Sequence, residues 1–170
     1  MTDASQGRIL QLWLWLGALL LCCGTALGQE PVYWDRLTLP VLGGSFGYPE
    51  SVTADLHTGE VFVCDTRYNQ IAIFGDDGLF KYQINGGQDF QAARDIAIDP
   101  EGYLIVIANR SRKQAILELD FDGLLIREMQ LSGVSDDLKT PRLDSIALSP
   151  TGDRIFAIDS SNMRLWIADR

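Results

Sequence analysis

Histidine is all but missing from this sequence: His57 is the only one among 170 residues. A lone imidazole has no second one with which to share a metal ion, so chemistry that gathers several histidines about a metal is excluded. Positive charge is also short. The 14 Lys and Arg are outnumbered by 23 Asp and Glu, for a formal net charge of −9. Nucleic-acid affinity rests on Lys and Arg displacing counterions from phosphates, so no nucleic acid is expected as a partner. Cysteine numbers three, and Cys22 and Cys23 fall in an N-terminal stretch that reads as an export signal. Its removal would leave Cys64 alone, and no intrachain disulfide forms from one thiol, even in an oxidising compartment. Cys64 sits within an apolar strand, where it is expected as a small buried hydrophobe. What is present is a chain 46% hydrophobic, ordinary for a globular protein with a core.

Residues 1–28 combine a short polar start carrying Arg8, the apolar run Ile9–Leu21, and Ala26-Leu27-Gly28. Small residues at the first and third positions before Gln29 suit a signal-peptidase cut. The expected element is an N-terminal signal or anchor helix. It is a cleaved export signal or, because Ile9–Ala26 just reaches the length that spans a bilayer, an uncleaved anchor. Either way, residues 29–170 are expected outside the cytoplasm, in the periplasm, in the extracellular medium or tethered to a membrane.

The rest of the chain repeats itself. Ser-Val-Thr-Ala-Asp at 51–55 recurs as Asp-Ile-Ala-Ile-Asp at 95–99 and as Ser-Ile-Ala-Leu-Ser at 145–149. Each copy runs into a turn ending in glycine (Gly59, Gly102, Gly152), then a second apolar strand (Val61–Cys64, Leu104–Ile107, Ile155–Ile158) that meets Asp65, Asn109 or Asp159. Third strands follow at Ile71–Phe74, Ile116–Leu119 and Leu165–Ile167, and in the first two copies Asp77-Gly78 and Asp122-Gly123 feed a fourth. Asp-Gly between alternating apolar runs is a strong hairpin signal. Short antiparallel strands in fours, repeated at this spacing, describe the blades of a β-propeller, and the class is all-β. The turn glycines supply positive φ and the Asx side chains bond nearby backbone, so both are expected to be structural. Asn109-Arg110-Ser111 is also a formal glycosylation sequon, which its place in a blade turn explains equally well.

This order of elements resembles the NHL repeat, with its strand ending in Asp, Gly turn, strand ending in Ala-Asp, and Asn-x-Arg before the next strand. Asp159-Ser160-Ser161-Asn162-Met163-Arg164-Leu165 carries it best. The first copy keeps Asp65 and Asn69 but has Gln70 where the family usually has Arg, and the second has one extra residue between Asn109 and Gln114. The resemblance spans residues 49–170. It implies mostly six-bladed rings that act as platforms for proteins or ligands, and in some relatives a metal-dependent lyase or lactonase. The implied function is an exported binding scaffold for a protein, peptide or glycan. Its alternative is a Ca²⁺-dependent hydrolase or lyase with carboxylates and amides converging on the ion in the channel. Apart from that ion, no cofactor is expected.

Three blades are too few to close a ring. Residues 29–48 precede the blades, and within them the alternating apolar residues of Trp34–Leu42 are read as a lone outer closing strand. Residues 49–170 hold three blades, of which the last shows only three strands. Such a half ring is expected to expose two apolar flanks. It is completed either by a second copy in a homodimer or by further blades, if the chain is a fragment of a longer array. The candidate partner-binding residues are Glu50, Arg94 and Asp144, each one residue before an inner strand, together with Asp136, Asp137, Lys139 and Arg142 in the longer loop 132–143.

Overall fold

A computed structural model describes residues 36–40, 44–129 and 140–170. The expected N-terminal signal or anchor helix and most of the loop 132–143 lie outside these residues. Among the described residues there is no α-helix, and eleven strands form three antiparallel sheets. Sheet 1 holds β1 (Pro49–Ala54), β2 (Val61–Asp65), β3 (Gln70–Phe74) and β4 (Phe80–Asn85) in that order. Sheet 2 holds β5 (Gln91–Ile98), β6 (Leu104–Arg110), β7 (Lys113–Leu119) and β8 (Leu125–Met129). Sheet 3 holds β9 (Leu143–Leu148), β10 (Arg154–Asp159) and β11 (Arg164–Asp169), the three strands that the last repeat shows, one fewer than in a full four-stranded blade. The strands β1, β5 and β9, one from each repeat, are neighbours in that order.

Every repeat-derived strand is present. The largest boundary change is at β5, which starts at Gln91 because a bulge between Gln91 and Asp95 lets the chain join β6 early. Trp34–Leu42 departs from expectation: its described residues, 36–40, are irregular rather than a strand. Leu37 and Leu39 turn instead onto the outer face of sheet 1, where with Phe46 they pack on Val63, Ala72 and Phe74. Burying these alternating leucines against a face of sheet 1 removes more apolar surface from water than standing alone at an edge.

Burial follows the position of each sheet. β6 lies between two neighbours, so Leu104 and Val106 pack towards sheet 1 while Ile105 and Ile107 pack towards sheet 3. A strand covered on both faces needs an unbroken apolar run, and Leu-Ile-Val-Ile provides it. Side-chain bonds join the sheets: Thr53 Oγ1 donates to the Ile96 carbonyl at 2.8 Å, and Asp95 accepts from Ser145 Oγ and the Ile146 N–H, each at 2.8 Å. Gln114 clasps Leu143 through both its carbonyl and its N–H at 2.6 Å. At the Asp122-Gly123 turn, Gly123 has φ +84°, and a Cβ there would lie 2.3 Å from Ile84 Cγ2. Glycine is required at that turn on both counts.

Candidate functional site

The turn aspartates act on the backbone. Asp65 accepts from the N–H groups of Gly47, Tyr48, Arg67 and Tyr68 at 2.6–3.3 Å, tying the end of β2 to the chain entering β1. Asp159 does the same in sheet 3, taking the Arg142, Ser161 and Asn162 N–H groups along with Trp166 Nε1 at 3.1 Å. Burial works to raise the Asp159 carboxyl, but the donors from Asn162, Ser161, Trp166 and Arg142 outweigh it and hold the group well below the usual range. The structural reading of these two residues therefore stands. Strand register shifts one part of the repeat alignment: Asp65 pairs with Gln70 and Asp159 with Arg164, which sets Asn69 opposite Met163 rather than Asn162. Asn69 bridges forward to sheet 2, its Oδ1 accepting from the Ala92 N–H at 2.8 Å.

Glu50, Arg94 and Asp144 come together at one end of β1, β5 and β9. Arg94 reaches Glu50 Oε2 at 3.4 Å and Asp144 Oδ1 at 3.0 Å, and Arg142 reaches the same Asp144 oxygen at 3.3 Å. The Asp144 carboxyl is lowered, first by a hydrogen bond from Ser160 and, against some burial, by Arg142 and Arg94. Two cations thus neutralise two anions across three sheets. Both carboxylates that a calcium site would use at this end face Arg94. Asp136, Asp137 and Lys139 lie outside the described residues.

The larger concavities open at the opposite end, among the turns that join first to second strands. One of about 360 Å³ is lined by Thr53, Asp55, His57, Asp99 and Ser149; the His57 backbone N–H donates to Asp55 Oδ1 at 2.8 Å. Beside it, the Arg170 guanidinium donates to Asp99 and to Glu118, and lies 5.7 Å over the Tyr103 ring. The side chains of Asp99 and Glu118 are buried. Burial works to raise the Glu118 carboxyl, but Arg170 and Arg127 bring it below its ordinary value. One signal for this group was visible in the sequence: Glu118 interrupts the apolar run Ile116–Leu119. Among the described residues, no three His, Cys, Asp or Glu side chains gather as a metal would need.

The most distinctive surface is the outer flank of sheet 3. Ile158, Leu165 and Ile167 share one face of β10 and β11 and are 51%, 57% and 61% exposed, with Phe156 beside them paired to Ile167. In sheet 1 the same register positions are Phe62, Cys64, Ile71 and Ile73, all buried against sheet 2. Sheet 3 therefore leaves exposed the face that sheet 1 buries, and nothing covers it among the described residues. The expectation of two bare flanks holds only in part, because Leu37, Leu39 and Phe46 cover much of the opposite one on sheet 1 and leave Val52 open. No family model matches the chain, and no curated protein matches it.

Chemically, the ends and the flank differ. The Arg94 cluster and the Arg170 cluster are internally compensated charge networks that join sheets, and each cation already has its anions. The sheet 3 flank offers apolar area without a partner. Sequence reading foresaw exposed flanks in general but named none of these residues, because their exposure follows from the order of sheets rather than from local pattern.

Proposed function

We propose that this chain is an exported binding scaffold of three propeller-like blades, and that its partner is a protein docked on the outer flank of sheet 3. The observation that carries this reading is the contrast between Ile158, Leu165 and Ile167 and their buried register counterparts. Contiguous exposed apolar residues on a sheet face mark an interaction surface, and a folded blade or similar apolar sheet surface has the shape to cover one. The NHL-like order of elements and the export-type segment at 1–28 support the scaffold reading and its placement outside the cytoplasm.

A second copy is one partner of this kind, and a two-fold pair of three-bladed halves makes a six-bladed ring. For that ring to close, the segment bearing Leu37 and Leu39 must leave the flank of sheet 1 that the neighbour would occupy.

The test is a photo-crosslinking residue placed at Ile167 and, as a control, at the still more exposed turn residue Leu56. A protein adduct formed at Ile167, absent at Leu56 and lost on Ile158→Asp is the expected result; its mass separates a second copy from another protein. Equal adducts at both positions, or none, would overturn the reading.

A further inference from the structure

In the repeat pattern Asn109 heads a turn as Asp65 and Asp159 do, but the strand register separates it from them. Counted from the equivalent pairs Cys64–Ile71, Ile107–Ile116 and Ile158–Leu165, the next pairs are Asp65–Gln70, Ala108–Ala115 and Asp159–Arg164. Sheets 1 and 3 turn at that level. Sheet 2 continues through the pairs Asn109–Gln114 and Arg110–Lys113, so its β6–β7 hairpin stands two residue pairs taller and carries Asn109 beyond the others.

A structural duty no longer accounts for this residue. Asp65 and Asp159 each gather several backbone N–H groups, whereas Asn109 and Ser111 are exposed and their side chains make no hydrogen bond among the described residues. Arg110 between them is engaged, its Nη1 3.7 Å from Glu128 Oε2. Turn chemistry does not explain Ser111 either. Ser111 and Arg112 have φ +50° and +64°, the left-handed pair of a two-residue hairpin turn, for which Asn-Gly, Asp-Gly or Gly-Gly is the favoured sequence. Serine and arginine gain nothing from that backbone, since only glycine, and occasionally Asn or Asp, visits it readily.

We propose that Asn109 is an N-glycosylation site, with Ser111 as the hydroxyl residue of the Asn-x-Ser acceptor pattern. This rests on the reading of the chain as exported. The donor is an oligosaccharide carried on a lipid pyrophosphate: Asn109 Nδ2 forms a bond to the anomeric carbon of the sugar, the bond from that carbon to the pyrophosphate oxygen breaks, and the amide proton leaves with the released lipid pyrophosphate. Asn69, Asn85 and Asn162 lack Ser or Thr two residues on, so one glycan is expected. It stands at the end of the sheets that bears Glu50, Arg94 and Asp144, because Asn109 pairs with Gln91 at the start of β5. The outer flank of sheet 3 lies on the far side of that sheet and stays open to a partner.

The test translates the full chain in the presence of microsomes from a eukaryotic secretory pathway and reads a gel shift that an N-glycan amidase reverses. A single shifted species, protected from added protease, is expected. Asn109→Gln and Ser111→Ala should abolish the shift, and Ser111→Thr should retain it. A protected but unshifted chain, or a shift that survives N109Q, overturns the proposal. Absence of protection counts against export alone; the full chain placed behind a secretory signal of known function is then scored by the same shift, and an unshifted, protected chain there overturns the proposal. In the unglycosylated chain Asn109→Gln should leave the urea midpoint unchanged, because the side chain bonds nothing that folding needs. A lowered midpoint would give Asn109 a structural role and remove the ground of the proposal.

Discussion

Ile107 and Ile158 occupy the same register position in consecutive sheets, which allows one substitution to be compared in two settings. Ile107 pairs with Ile116 and Ile158 with Leu165, yet Ile107 is 0% exposed and Ile158 51%. Ile107→Ala removes buried methyl groups between sheets 2 and 3 and should destabilise the chain by about 2–5 kcal/mol, transfer and cavity contributions together. Ile158→Ala opens no enclosed cavity and removes a side chain on a residue about half of whose surface already meets water, so its cost should stay below about 1 kcal/mol. Urea unfolding followed by tryptophan fluorescence measures both, provided the slope with denaturant is unchanged. A loss at Ile158 as large as that at Ile107 would refute the reasoning, because it would mean that the flank is covered in the free protein. With a partner bound, the order should change: Ile158→Ala should then weaken association while Ile107→Ala weakens only the fold.

Three other outcomes follow from the geometry. Asp95→Ala leaves the Ser145 hydroxyl and the Ile146 N–H without their acceptor and should lower unfolding free energy by about 1–3 kcal/mol, read by the same denaturation. Asp159 has a carboxyl lowered from 3.8, so its contribution to stability is complete above that value and is lost as pH falls towards the folded-state value; acid titration of the wild type should show this loss, and Asp159→Asn should flatten it. Gly123→Ala forces a left-handed backbone on alanine and brings its Cβ against Ile84, and the backbone part alone should cost about 1–2 kcal/mol in thermal or urea unfolding.

Much of the fold is legible locally. The Asp-Gly turns, the apolar runs and the Asx residues place every strand, because a hairpin is specified by residues a few positions apart. The grouping of Glu50, Arg94 and Asp144 is legible too, since repeat alignment puts each residue before an inner strand and the inner strands are neighbours. That Arg94 would be taken up by both carboxylates depends on side-chain reach across sheets, which spacing does not show. The cover on sheet 1 was hidden for a related reason: Leu37 and Leu39 alternate as a strand would, and only the nearby face of Val63, Ala72 and Phe74 decides that they pack as irregular chain.

Amide hydrogen exchange on the free full chain tests the open flank and edge most directly. β3 and β7 have neighbouring strands on both sides, so their amides should be protected along the whole strand. In β11 the amides facing β10 should be protected and the alternate ones, facing outward, should exchange at close to unprotected rates. Protection of Arg164–Asp169 matching that of β3 and β7 would contradict the account, since it would show that sheet 3 is already completed.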